Sequence, residues 1–587
     1  MLLTDYISEY LTLKKIKYVF GVTGGYAMFL NNSLGINKDL KNIYTHNEQG
    51  AGYMAVGYSK STNSPCVVST TAGVAATNTI SSVLVAWQES LPILYISGQV
   101  NNHETIKANP SLRHYSGQDC NICELVKSIT KYSFEIHNAE EIKYHLDKIF
   151  FEFENGRKGP CFLSVPINIQ NTQINPENLK GFEHSIPKSI EFSDNMNLFL
   201  KLINESKRPL ILGGNGIKQS DSIDVFKQFL DKTNIPSVFS YNGVDIISTT
   251  SPFYVGRCGI NGDRVGNFAI QNCDLLISLG CRLSLGVIGY NSKTFSRESK
   301  KIMIDIDKTE LNKNNIELDL IINSDVKKVL SSILKLNLKK TDNDWVDTTL
   351  RWKKKWFTQL PPNVDPKSPY KFYESFLKVV PNNSCLIGSS GAIHTPLIHS
   401  FNDYGKNIKF IMNSATGDMG SELPGSLGVY FSKLFDKVIA VIGDGSFMFN
   451  IQELQTISYH KPNIKIIIMN NGGYESIRVS QKNYFGNILG THEETGLSFP
   501  NFENIANAFN LNYFKFDSNF KNLEEVLNND ECTIIEVICC SQDRHPKLSS
   551  KKDEVTGVIV SKPLEDMFPF LDRDEFIKEM IVEPLKE

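Results

Sequence analysis

The chain has 587 residues, 61 of them basic and 64 acidic, for a net charge of −3, with 41% hydrophobic and 21% charged residues. This is the composition of an ordinary globular protein; no basic stripe suits a nucleic acid, and no apolar run reaches the ~18–20 residues of a membrane-spanning helix. At about one domain per 150–200 residues, three or four domains are expected.

Eleven cysteines are scattered, with a lone Cys120-x-x-Cys123 and an adjacent Cys539-Cys540. They read as free thiols of a cytoplasmic protein, since a metal site would need a second pair. The opening MLLTDYISEYL carries acidic residues and lacks a basic stretch before an apolar core, so no signal peptide is expected.

The first block, residues 1–175, alternates short apolar strands with helical segments. Tyr18 to Val22, Cys66 to Thr70, Pro92 to Ser97 and Cys161 to Pro166 are its strand candidates. The polar, proline-bearing stretch 168–192 reads as a linker. A second block, 193–338, has strands at Arg208–Gly214, Asp274–Gly280 and Lys301–Asp307, the first running into Gly213-Gly214-Asn215-Gly216. Lys339 to Pro369, with Trp345, Trp352 and Trp356, reads as a second linker.

The third block, 370–545, is followed by a tail, 546–587. The tail is charged but holds Val558-Ile559-Val560 and Met567 to Leu571, which predicts that it packs onto the body. Alternating strand and helix predicts an α/β fold: three doubly wound parallel-sheet domains, with ligands beyond the carboxyl ends of the strands. Blocks one and three alternate alike, and a distant duplication is left open.

In the third block, Val438 to Ile442 reads as a buried strand ending at Gly443-Asp444-Gly445. Ser446 to His460 reads as a helix, and Ile464 to Met469 as a strand ending at Asn470-Asn471. Two neighbouring strand ends therefore set a carboxylate beside a carboxamide. Hard oxygen ligands of this kind suit Mg²⁺ on phosphate oxygens, not zinc. The glycines let the backbone approach a diphosphate. A Gly-Asp-Gly alone is most often a turn, and it is the strand–helix–strand setting that gives it weight.

The stretch GDGSFMFNIQELQTISYHKPNIKIIIMNN resembles the thiamine-diphosphate motif of the acetolactate synthase and pyruvate oxidase superfamily. The resemblance implies Asp444 and Asn471 as Mg²⁺ ligands through their side chains, and Gly473 through its carbonyl. Gly443, Gly445, Ser446 and Tyr474 would line the diphosphate.

HNEQGAGYMAVGYSK resembles the glutamate motif of the same superfamily, where the carboxyl hydrogen-bonds the cofactor's aminopyrimidine and tunes its protonation. Glu48 is then the catalytic acid–base. Taken alone, Glu48 merely favours a helix N-terminus. Thr70 to Asn78 resembles the family's TSGPGATN loop, with Val74 and Ala75 in place of proline and glycine, and supplies Gly73 and Asn78. Ala415 to Pro424 resembles a G-x-M-G-x-x-L-P segment, in which Met419 would wedge between the cofactor's rings, with Gly417 and Asp418 beside it; without the resemblance, Met419 reads as core filler.

Leu112 to Asp119 resembles the segment of acetolactate synthases that ends in Phe-Gln-Glu. Gln118 matches the active-site glutamine, whereas Gly117 stands where phenylalanine is usual. Either the loop has drifted, or the cleft is wider by roughly 100 Å³ or more and admits a larger acceptor. Gly25, Gly117, Gln118 and Arg478 make up the substrate side. Arg478 would bind a carboxylate or phosphate in a bidentate way, or lie on the surface.

In the middle block, Gly213-Gly214-Asn215-Gly216, Gly280-Cys281-Arg282 and Asp305-Ile306-Asp307 fall where acetolactate synthases contact FAD, although non-flavin members keep similar glycines.

The resemblance spans nearly the whole chain and implies a thiamine diphosphate- and Mg²⁺-dependent carboligase. It would decarboxylate a 2-oxo acid, pyruvate first, and pass the two-carbon unit to a carbonyl acceptor. The tail from Val560 to Leu571 looks like that of a subgroup in surface-polysaccharide pathways, which makes a nucleotide-linked keto-sugar the leading acceptor. The alternatives are acetolactate synthesis, and simple decarboxylation or oxidation. Two rivals stand outside these. A silent binding subunit would lack Glu48, Asp444 or Asn471. An NAD-binding protein would carry a full G-x-G-x-x-G after the Arg208–Gly214 strand. In the family resembled, the cofactor lies between two subunits, so a homodimer or homotetramer is expected.

Overall fold

The computed structural model describes residues 1–183, 193–313, 315–358, 360, 364–388, 391–540, 545–552 and 559–585. The apolar runs become three six-stranded sheets, all parallel, with helices on both faces. The first holds β1 (Tyr18–Gly21), β2 (Lys41–Tyr44), β3 (Cys66–Thr70), β4 (Ile93–Gln99), β5 (Tyr132–Glu135) and β6 (Cys161–Pro166), in the order β2-β1-β3-β4-β6-β5. The second holds β7 (Pro209–Gly213), β8 (Ser237–Phe239), β9 (Tyr254–Arg257), β10 (Leu275–Leu279), β11 (Lys300–Asp305) and β12 (Leu320–Asn323), in the order β12-β11-β10-β7-β8-β9. The third holds β13 (Ser384–Gly388), β14 (Ile408–Met412), β15 (Lys437–Gly443), β16 (Ile464–Asn470), β17 (Asn512–Phe516) and β18 (Thr533–Ile538), in the order β14-β13-β15-β16-β18-β17.

The first and third sheets share one strand order, so the likeness between blocks one and three is one of topology. Their corresponding helices, Glu48–Thr62 after β2 and Glu422–Ser432 after β14, pack on each other. The approach is reciprocal and needs glycine. A Cβ built on Gly57 would lie 2.1 Å from the Gly425 carbonyl oxygen, and one on Gly428 would lie 1.9 Å from that of Met54. The central sheet has the strand order of dinucleotide-binding folds, with its switch point between β7 and β10.

Three segments differ from the sequence reading. Residues 339–369 are not all linker: Asn343–Trp356 is a helix that buries Trp345, Trp352 and Trp356. Positions i, i+7 and i+11 share one helical face, and that face closes the core of the central domain. The described part of 168–192 follows the first domain, through the bridge Leu2–Gln173 and the buried Ile174 and Leu179. The helix expected from Ser446 to His460 is broken into Asp444–Phe447, a 3₁₀ turn Met448–Asn450, and Glu453–His460.

The tail packs onto the central domain, but not mainly through the expected clusters: Met567 is buried, whereas Val560, Phe568 and Phe570 are exposed, and Val558 lies outside the described residues. Phe576 meets Phe268 edge-on at 5.8 Å. Buried Glu565 pairs with Arg297 at 2.8 Å and accepts from Gln271 at 2.7 Å. Glu579 takes the indole N–H of Trp352 at 2.8 Å. Among the described residues, no helix is long and apolar enough to cross a membrane.

Candidate active site

At the carboxyl end of β15, Asp444 is 2% exposed. Its carboxylate accepts N–H bonds from Gly445 at 2.7 Å and Gly473 at 2.8 Å. Desolvation outweighs these bonds and pushes its pKa up to about 6. Just beyond β16, the Asn471 side-chain oxygen is buried with no hydrogen-bond partner. A buried, unsatisfied carboxamide oxygen costs about 1–3 kcal/mol, and a cation placed between it and Asp444 would relieve both groups. The residues present therefore fit a hard divalent ion.

The turn between them is shaped for close approach. Gly472 and Gly473 have φ of +70° and +131°. The Tyr474 ring lies so close to Gly445 that a Cβ there would be 2.1 Å from it. Gly473 is tied to Asp444 through its N–H, and its carbonyl, the group of the expected metal role, accepts the Glu475 N–H at 3.0 Å. Arg478, expected on the substrate side, is turned inward: its guanidinium bonds Glu475 and the carbonyls of Gly472 and Asn471, the last at 3.0 Å. In this arrangement it braces the Asn471–Gly473 loop.

After β14, the segment Asn413–Gly420 carries Gly417, at φ +58°, with its N–H on the Asn413 carbonyl at 2.9 Å. Asp418 accepts from Thr416 at 2.7 Å and from Asn413 at 3.3 Å. Met419 is half-buried. The next residue, Gly420, is clamped on both sides: its N–H reaches the Ser446 hydroxyl at 2.8 Å, and its carbonyl accepts from Asn450 at 2.8 Å. Ser446 in turn donates to Glu422 at 2.9 Å. Glu422 is fully buried, and burial, with Asp418 nearby, raises its pKa to about 8.

In the first domain, Asn47 caps the helix that Glu48 opens. Glu48 accepts from the Asn78 amide at 2.9 Å. Gly73, at φ +68°, lies against the backbone of Gln118, leaving only 2.6 Å from an added Cβ to that carbonyl oxygen. Glu48, Gly73, Asn78 and Gln118 thus gather in one domain. Gln118 itself takes φ +68°, whereas Gly117 does not have positive φ, and a Cβ there meets nothing within 4 Å. Gly25 opens a 3₁₀ turn past β1, also with open space around it.

The two clusters are linked within the chain. Asn450 also donates to Gln49, beside Glu48, at 3.1 Å, and buried Glu453 accepts the His46 N–H at 3.2 Å. Sequence reasoning missed Glu422, Asn450 and Glu453. The one signal available for Glu422 was an acidic residue set at the start of the apolar run Leu423 to Val429.

At the central switch point lies a cavity of about 400 Å³, lined by Gly214, Gly216, Arg282 and Asp305 among others. Burial pushes the Asp305 pKa up to about 6. Gly214 and Gly216 press on Gly280, with 2.2 Å and 2.6 Å left for a Cβ.

Comparison with known proteins agrees with this layout. Residues 1–125 match the N-terminal TPP binding domain of thiamine pyrophosphate enzymes (TPP is thiamine diphosphate), residues 196–333 their central domain, and residues 392–537 their C-terminal TPP binding domain. The acetolactate synthase large subunit of Lactococcus lactis subsp. lactis is 28% identical over 90% of this chain and 91% of its own. That of Porphyra purpurea is 28% identical over 93% of each. A probable acetolactate synthase large subunit of Methanocaldococcus jannaschii is 27% identical over 91% of each. With all three domain models matched in order on three parallel sheets, the chain belongs to the thiamine pyrophosphate enzymes and is an acetolactate synthase-like member of them.

Proposed function

We propose that the protein is a Mg²⁺-dependent carboligase that decarboxylates a 2-oxo acid, pyruvate first, and joins the two-carbon unit to a carbonyl acceptor. The observation that carries this is the orphaned Asn471 oxygen beside the buried Asp444 carboxylate, at neighbouring strand ends. These two, with the Gly473 carbonyl, would hold Mg²⁺, and Gly443, Gly445, Ser446 and Tyr474 would hold the diphosphate. When bound, thiamine diphosphate supplies the nucleophilic carbon and the electron sink for loss of CO₂.

The remaining work falls to this chain. Asn78 fixes one oxygen of Glu48 and so orients the carboxyl for proton exchange. Ser446 and Asn450 clamp Gly420 and so set Met419. Gln118, held against Gly73, faces the substrate side.

For the acceptor, a bulky carbonyl compound, a nucleotide-linked keto-sugar, is put forward over a second pyruvate, on the ground that a glycine stands at exposed position 117, where a Cβ would meet nothing within 4 Å. Glycine is not required there by positive φ. Likeness to acetolactate synthase large subunits favours a second reading, the joining of two pyruvates. FAD in the central cavity is likewise proposed, on its glycine turn and Asp305.

The test is incubation with thiamine diphosphate, Mg²⁺ and pyruvate, with and without a nucleotide-linked keto-sugar, with products identified by mass. A branched sugar product is expected, and Glu48→Gln should abolish it while still binding cofactor. Acetolactate in both arms would replace the sugar reading with the second one, and no CO₂ release at all would overturn the function. Gly117→Phe is expected to cut ligation to the bulky acceptor at least tenfold, about 1.4 kcal/mol of barrier, while sparing CO₂ release.

A further inference from the structure

Glu89 lines the central cavity, is 4% exposed and is touched by all three domains. It follows the Ile80–Gln88 helix of the first domain. Its Oε1 accepts the Ala415 N–H at 2.9 Å. Its Oε2 accepts from the Lys60 ammonium at 2.9 Å and from the Asn242 amide at 2.8 Å. Lys60 sits on the helix that Glu48 opens, and it also donates to the Met412 carbonyl at 2.6 Å, where β14 ends. Asn242 and Ala415 both line the central cavity.

We propose that Glu89 is a positioning residue that holds the Asn413–Gly420 segment in register with the Glu48 helix and the wall of the central cavity. The proposal rests on the reading of that segment as part of the thiamine diphosphate site. A simple ion pair with Lys60 would use one carboxylate oxygen. Here the second oxygen goes to a backbone N–H two residues before Gly417. Lys60 and Glu89 together pin residues 412 and 415, so the loop leaves β14 along a fixed path toward Met419. The Lys60 side chain is 9% exposed and that of Glu89 2%. Burial pulls the Lys60 pKa down, and the Glu89 carboxylate opposes this. The pair is therefore costly to break by removing one partner, and the test must separate folding from positioning.

Two double variants do so. Lys60→Met with Glu89→Gln removes both charges and keeps an acceptor for Ala415. Lys60→Met with Glu89→Leu removes the acceptor as well. Each is compared with wild type for half-saturation by thiamine diphosphate at fixed Mg²⁺, for cofactor affinity by calorimetry, for KM of pyruvate, and for melting temperature without cofactor. The Gln form is expected within threefold of wild type in cofactor affinity. The Leu form is expected at least tenfold weaker, with the pyruvate KM within twofold and a melting temperature matching the Gln form.

Equal cofactor affinity in both forms would overturn the proposal. Should the Leu form not fold, Glu89→Asp decides: it keeps the charge for Lys60 but withdraws the carboxylate from Ala415. It is expected to weaken the cofactor alone, and unchanged affinity would overturn the proposal. Wild type that binds no thiamine diphosphate would instead refute the reading of the site, and the proposal with it.

Discussion

Asp444 and Glu422 are both buried in the third domain with raised pKa values, but their surroundings assign them different work. Asp444 stands at the end of the strand next to the one that leads to the unsatisfied Asn471 amide oxygen, and a cation held by both would complete both groups. Asp444→Ala and Asn471→Ala are each expected to weaken Mg²⁺ and thiamine diphosphate together by more than about tenfold, or 1.4 kcal/mol. Calorimetry that finds both affinities unchanged would remove the metal role.

Glu422 meets the Ser446 hydroxyl, backbone N–H groups and the like-charged Asp418, and burial still raises its pKa to about 8. A carboxyl whose folded pKa is raised stabilises the fold fully below its unfolded pKa, about 4.3, and loses that contribution as pH rises through the folded value. Asp444, with its pKa at about 6, is half ionised there and completes most of its own loss by about pH 7, so its share then fades while that of Glu422 persists. Between about pH 6.5 and 8 the apoprotein should therefore lose up to roughly 1.4 kcal/mol per pH unit on account of Glu422. Glu422→Gln should flatten that slope. Parallel melting-temperature profiles for wild type and variant across this window would show that Glu422 is not protonated in the fold.

At the scale of elements, strands were legible because buried parallel strands are continuous apolar runs. Val438 to Ile442 and Ile464 to Met469 needed only a residue or two added at their ends. Helices were harder to place. The Asn343–Trp356 helix was read as a linker because nearby prolines and Lys353-Lys354-Lys355 hide an apolar face of three tryptophans. That face is completed by the tail, a partner more than 200 positions away in sequence, which no local pattern reveals. The same limit hid Glu89 and Glu422: a lone acidic residue in an apolar stretch shows its partners only after folding. By contrast, the placement of Glu48, Asp444 and Asn471 at the ends of elements could be read from short motifs.

Phe576 is where tail and helix meet, edge-on to Phe268, with Trp352 and Trp356 packed on the same ring. Phe576→Ala should cost about 3–5 kcal/mol. The cost would appear as a lower melting temperature of the central domain, with cofactor binding in the third domain retained below it. An unchanged melting profile would mean that the tail is an ornament and not part of that core.

At the scale of the whole molecule, the two site-bearing sheets share a topology and dock through a reciprocal glycine contact, yet each leaves apolar side chains uncovered beside its functional loop. Val74, next to Gly73, is 73% exposed, and Tyr115, next to the Gly117–Gln118 turn, is 59% exposed. Past the Asn471–Gly473 loop, Tyr484, Phe485 and Leu489 are 69%, 76% and 71% exposed. Large apolar side chains bunched around functional loops mark an interaction surface. A second copy of the chain brings complementary loops of both kinds, and a two-fold arrangement would use both patches at once. Light scattering at assay concentration should therefore give at least twice the 66.1 kDa of one chain. Phe485→Asp and Val74→Asp should each shift the protein toward monomer and lower activity in proportion. Neither residue is among those that hold cofactor, so activity should recover as protein concentration is raised and the dimer reforms by mass action. Full activity from a monomer, or loss of activity without any change in mass, would separate the exposed patches from assembly and leave the site to be completed within one chain.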